Sequence, residues 1–455
     1  MKTRLTFQVV LLLAALAAAP GQERPGALQA TAAGRRVQEY LRAFNSGNDS
    51  TMRAYFARNL AADAAAQIPI DQRIARYHQM RSMAGTFTLK RVLRTSDDRA
   101  SVIVSSRDGY LLKMDFRCES RDPHGLIAVA VDEVQPGDEG VTPAKDDAAL
   151  ADAAAGYVRP EADSGKFSGV VLIAARGETI FRQAYGLADR ESGKTNTVDT
   201  RFNLGSINKI FTHLAIEQLA AAGKLALTDT LGKILPDYPN REAASTVTVQ
   251  ELLDMRSGIG DFFNERYDAA SKESLMTIAS YLPLFADKPL AFQPGSKRMY
   301  SNGGYIVLGA IIEKVSGLDY YTYVRKHIFD PAGMKATGSY AKDSLPADAA
   351  IGYTMRGGAG WKTNYDRLPG RGSSAGGGYS TAMDLLRFTK ALAEAPFVPA
   401  SFAPKRGMGI AGGAEGINAA LEWDPAKGYT IIVLCNIDPP AAERTAQHLR
   451  ALLPE

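Results

Sequence analysis

Cysteine and histidine are scarce in this 455-residue chain: it has two cysteines, Cys118 and Cys435, and five histidines, none in a His-x-His phrase. Two cysteines cannot build a disulfide framework. Cys435 follows the apolar run Ile431 to Leu434, so both are expected as small buried thiols rather than as a bridge. His78, His124, His213, His327 and His448 lack metal-ligand spacing, so neither a metal nor a cofactor is expected, and His213 reads as a packed helix residue. Charge of one sign is missing too. The formal net charge is +4 and no dense basic stripe exists, which argues against a nucleic-acid partner. Long apolar runs are absent after the first twenty residues. A membrane span needs about 20 uncharged residues, so none is expected in the mature chain. There is no internal repeat.

The apolar stretch that does exist comes first. Lys2 and Arg4 precede the run Val9 to Ala19, whose last three residues are alanines before Pro20 and Gly21. A basic start, a short apolar stretch and small residues at its end are the order of a secretory signal peptide, here residues 1–21. Export to a periplasm or the cell exterior is the expectation. No cysteine follows the run, so a lipid anchor is not expected.

The remainder divides into two domains. Val37, Tyr40, Leu41 and Phe44 recur at helical spacing, and Asn45-Ser46-Gly47-Asn48-Asp49 interrupts the pattern before Met52, Tyr55 and Phe56 resume it. Two helices within 34–58 and a third from Ile70 to Met83 are predicted. From Thr86 the pattern changes to alternation, giving four strands at Phe87 to Leu93, Val102 to Val104, Leu112 to Phe116 and Ile127 to Val131. Helices first and an antiparallel meander after make a small α+β domain over residues 30–135. Its opening helix and the phrase Ala43-Phe44-Asn45-Ser46-Gly47 resemble the cone-shaped nuclear-transport-factor-like domains. It shows no convergent His, Asp or Glu set, so a packing or interaction module is expected. Residues 136–148 start with prolines, glycines and charge and read as a linker. In residues 149–455, paired strands at Gly169 to Ala174 and Thr179 to Ala184 answer strands at Ile417 to Leu421 and Tyr429 to Asn436. A closing helix follows at Ala441 to Leu453. One antiparallel sheet built from the two ends of a mostly helical domain is predicted.

Two phrases in this second domain carry chemistry. The first is Phe202-Asn203-Leu204-Gly205-Ser206-Ile207-Asn208-Lys209, ahead of an apolar-faced helix that stops at Gly223. Ser206 in a first turn shares a face with Lys209 three residues on. A serine hydroxyl needs a base, and a desolvated lysine has its pKa lowered toward that role. The alternative is an N-cap serine followed by a solvated lysine. The second phrase is Tyr300-Ser301-Asn302-Gly303-Gly304-Tyr305, before a helix from Ile306 to Val315. A tyrosine near a lysine can exist partly as phenolate and accept the serine proton, and an asparagine amide can bond both lysine and substrate carbonyl. The alternative is a turn tyrosine over a capping asparagine.

In order and spacing the two phrases resemble the serine β-lactamase-related family: class C β-lactamases, penicillin-binding D-alanyl-D-alanine peptidases and related esterases. The resemblance covers about residues 150 to 440. It includes Ser257-Gly258-Ile259-Gly260-Asp261, Pro331-Ala332-Gly333-Met334 and Gly376-Gly377-Gly378-Tyr379-Ser380-Thr381. It implies an α+β fold in which a helical region packs on an antiparallel sheet, with acyl transfer through a serine ester. It further implies that Ser206 would attack, that Lys209 and Tyr300 would manage protons, and that Asn302, Gly412 and Gly413 would hold a small-molecule or peptide-like acyl substrate. On the same resemblance, the oxyanion would be held by backbone N–H groups of Ser206 and of Gly413 on a strand of the sheet.

One departure bears on substrate. Where the family carries Lys-Thr-Gly or His-x-Gly, this chain reads Ile410-Ala411-Gly412. A donor for a substrate carboxylate is gone, so a neutral ester or amide is expected ahead of penicillins and D-alanyl peptides. Lys405 and Arg406 are the nearest replacements in sequence. A non-catalytic binding protein that keeps the fold is the rival reading.

Overall fold

The structure is a computed structural model that describes residues 28, 30–107, 111–134, 141–356, 360–402 and 407–454. The expected signal peptide, Lys405 and Arg406 lie outside those residues, as do residues 136–140 of the expected linker. The chain divides into two units, residues 1–142 and 143–455. The helix Asp147–Asp163, capped by the Asp146 side chain, takes the last two residues of the expected linker.

In the first unit, helices Ala32–Ser46, Asp49–Asn59 and Ile70–Ala84 precede a four-stranded antiparallel meander in sequential order. A further helix, Ala62–Gln67, is too short for periodicity to announce it. Aromatic side chains dominate the core. Phe44 stacks on Phe87 at 4.4 Å, and Tyr40 meets Phe116 edge-on at 5.4 Å. Asn48 caps the second helix through bonds from Ser50 and Thr51, which is why the polar break begins a new helix there.

The second unit is built on a five-stranded antiparallel sheet. Its order is Met408–Ala414, Ile417–Asp424, Tyr429–Cys435, Gly169–Ala175 and Glu178–Tyr185. Both ends of the unit thus meet in one sheet. Gly169–Ala175 and Tyr429–Cys435 are buried along their whole length, because both faces of the sheet are covered. Val170, Leu172, Ile432 and Leu434 enter the core of the helical region. The alternate residues Val171, Ile173, Ile431 and Val433 are buried on the opposite face. The free thiols of Cys118 and Cys435 are buried in strands of separate units.

Two helices of the inserted region position the site. Lys209–Ala221 follows the 3-10 turn Gly205–Asn208 directly. Asn302–Ser316 starts four residues ahead of the expected Ile306, because Ser301 caps it by accepting from Gly304 N–H at 2.8 Å. This helix is buried continuously from Gly303 to Ile312 and packs against the first. Tyr320, fully buried, ties the region together through bonds to Thr212 at 2.8 Å and Asn208 at 3.4 Å.

Candidate active site

Ser206 lies in the 3-10 turn rather than in the first turn of the α-helix. Its hydroxyl caps nothing. Instead Ser206 Oγ lies 2.5 Å from Tyr300 Oη and 3.1 Å from Lys209 Nζ. The chain reaches this turn by a demanding route: Gly205 has φ +50° and donates its N–H to Asn203 Oδ1 at 3.0 Å. The glycine phrase at 376–378 grips the turn from behind. Leu204 N–H donates to Gly378 O at 2.7 Å, and Gly377 N–H to Gly205 O at 3.3 Å.

Lys209 is 6 % exposed. Its Nζ donates to Asn302 Oδ1 at 2.7 Å and to the Ala375 carbonyl, and it stands 4.8 Å from the Tyr300 ring centre. Burial pushes this amine from the ordinary 10.5 down to about 7, with the nearby Asp261 carboxylate opposing the shift. Asn302 does not cap its helix; Ser301 does. The asparagine amide is free to bridge, accepting from Lys209 and donating through Nδ2 to Asp261 Oδ2 at 2.7 Å. Asp261 is a site residue whose role the sequence did not show, although it closes a phrase noted there. The Ala375 carbonyl left no trace in the sequence at all.

Tyr300 is half exposed, and burial is still the largest influence on its phenol, raising its pKa above 10. The hydrogen bond with Ser206 only partly opposes this. The direction is toward the phenol, against the partial phenolate expected from the sequence, whereas Lys209 is shifted toward its neutral amine.

The edge strand Met408–Ala414 passes close beside the Ser206 turn. A carbon added at Gly412 would fall 2.0 Å from Leu204 O and 2.7 Å from Ser206 N, and one at Gly205 2.9 Å from Gly413 N. Only glycine permits this approach, which sets the backbone of Gly412 and Gly413 directly against the Gly205-Ser206 turn. Gly412 is buried behind the turn, whereas Gly413 lines a cavity of about 540 Å³ together with Ser206, Tyr300 and Asn302. Ile410 faces a separate groove of about 650 Å³, which also holds Lys209, His213, Phe402 and Met408. His213 packs edge-on against Phe402 at 5.1 Å, and its Nε2 lies 3.8 Å from Glu217.

A serine and a buried amine, joined by a tyrosine and an asparagine between a helical region and an antiparallel sheet, define a class, and comparison with known proteins agrees. The chain belongs to the Beta-lactamase family, which matches residues 154–454. It is 34 % identical over 233 residues to a putative penicillin-binding protein, PbpX, of Bacillus subtilis, covering 50 % of this chain and about half, 55 %, of that protein. It is 32 % identical over 318 residues to the esterase EstB of Burkholderia gladioli, covering 62 % of this chain and 79 % of the esterase. Among solved structures, a penicillin-binding protein from Bacillus halodurans matches with a TM-score of 0.61 at 30 % identity, covering 65 % of this chain and 99 % of that one.

Proposed function

We propose that the chain is a serine hydrolase that opens an ester, amide or β-lactam-like bond through an acyl-enzyme at Ser206. The observation that carries this reading is the set of partners of Lys209. A neutral amine has two N–H groups and one lone pair. Asn302 Oδ1 and the Ala375 carbonyl accept both N–H groups, so the lone pair is left for the Ser206 hydroxyl at 3.1 Å. With a pKa of about 7, much of the amine is free to take that proton at neutral pH.

In this reading Ser206 Oγ attacks the carbonyl carbon as its proton passes to Lys209. The N–H groups of Ser206 and Gly413 hold the oxyanion; such a donor typically contributes about 10²–10³ in rate. As the scissile bond breaks, the Tyr300 phenol protonates the departing oxygen or nitrogen and regains a proton from the Lys209 ammonium. Water then attacks the ester as its proton passes to the Lys209 amine, and the ammonium returns that proton to Ser206 Oγ, 3.1 Å away, as the acid departs. Asn302 positions Lys209 and binds the acyl side. Ile410 supports a leaving group without a carboxylate, as does the kinship with an esterase. The first unit is proposed as a cone-like packing or interaction module. The protein is proposed to be exported; no helix among the described residues is long and apolar enough to cross a membrane.

Assay of nitrocefin and p-nitrophenyl esters beside Ser206→Ala tests this. Turnover by the wild type that the variant lacks is expected; equal rates would overturn it.

A further inference from the structure

Two recesses meet at the nucleophile, and they share only Ser206 and Tyr300. A bond cleaved at Ser206 leaves its acyl half in one recess and its leaving half in the other. The proton for the leaving half originates on Lys209, which borders the groove of Ile410. Gly413 and Asn302 border the other recess, the cavity of about 540 Å³. The acyl half therefore belongs in that cavity.

The chemistry of the cavity wall is specific. Phe263 is 59 % exposed there, an unusual state for a phenylalanine. It leans on Phe262 at 4.4 Å and meets Tyr267 edge-on at 4.9 Å, so the exposed ring is held in place. Leu345, Leu368, Pro369 and Ile417 add to the apolar lining. The charges at the wall are largely cancelled: Lys342 pairs with Glu273 at 2.7 Å, and Arg367 lies 3.7 Å from Glu415. The remaining lining charge, Asp268, repels an anion. Resting on the hydrolase reading above, we infer that the cavity selects an uncharged aromatic acyl group seated against Phe263.

The test uses p-nitrophenyl phenylacetate, acetate and hemisuccinate on the full chain, each kcat/KM divided by that ester's hydroxide rate. Phenylacetate is expected to exceed acetate by about tenfold or more, and hemisuccinate to be poorest. Phe263→Ala, at an exposed position, is expected to collapse the phenylacetate-to-acetate ratio. Turnover of all three esters without preference would overturn the inference and leave the hydrolase reading standing. No turnover of any ester would count against the hydrolase reading. The cavity is read separately through binding of phenylacetamide to Ser206→Ala by ligand-detected NMR. Binding that weakens about fivefold or more on adding Phe263→Ala is expected; no binding, or equal binding, overturns the inference.

Discussion

Asp261 accepts the Asn302 amide nitrogen at 2.7 Å, and so decides which end of that amide Lys209 meets. Were the amide reversed, two donors would face each other across the site. Asp261→Ala is therefore expected to lower kcat more than KM changes, by about 1–3 kcal/mol, or about fivefold to 150-fold. Asp261→Asn can keep the hydrogen bond and is expected to recover part of the loss. Because Asp261 holds the Lys209 pKa up, both variants move the acid limb of the pH–rate profile to lower pH. Steady-state kinetics across pH read all three effects; an unmoved limb would contradict the coupling.

The amine also sets the pH dependence of the wild type. Lys209 must be neutral to accept a proton, so kcat/KM is expected to rise with pH through about 7. Its stability effect has the same sign. Between about 7 and the ordinary 10.5 the unfolded chain binds more protons at Lys209 than the folded one does, so stability rises with pH there. Lys209→Met is expected to lose turnover yet melt higher than wild type at pH 7, with the gap closing toward pH 10. Thermal melts at the two pH values check this.

Ile410 faces the groove proposed above for the leaving group. Ile410→Lys is expected to raise kcat/KM for an ester with a carboxylated nitrophenol relative to plain p-nitrophenol by about tenfold, the worth of one charge-assisted hydrogen bond. The ratio of the two rates is the measurement; no gain would mean that Ile410 does not set leaving-group charge.

Gly412 has no room for a side chain, since an added carbon would lie 2.0 Å from Leu204 O. Gly412→Ala is expected to push the edge strand off the Ser206 turn, lowering stability by about 1–3 kcal/mol. It should also cut kcat through the displaced Gly413 N–H. Denaturation and kinetics together separate these effects, and a fully active variant would contradict the close approach.

What could be read from the sequence follows the range of each signal. Ser206 with Lys209 and Tyr300 with Asn302 are short local phrases, and each shows its residue types at fixed spacing. Their convergence needed the family resemblance, because no periodicity relates a helix start to a loop about ninety residues on. Asp261 meets Asn302 across 41 positions, and Ala375 meets Lys209 across 166 through a main-chain carbonyl, which any residue type supplies. The two central strands were legible as apolar runs. The edge strand Met408–Ala414, with Gly409, Gly412 and Gly413, lacks the β-branched alternation that marks a strand; its glycines serve the active site instead. The helix start at Asn302 was missed because Ser301, not Asn302, provides the cap.

Covalent labelling of Ser206 addresses the central claim most directly. Incubation with a fluorophosphonate probe, followed by peptide mapping, is expected to place a single label on Ser206, faster as pH rises through about 7 and absent in Ser206→Ala. A wild-type chain that stays unlabelled under conditions that label a related hydrolase, or carries its label on another residue, would contradict the account.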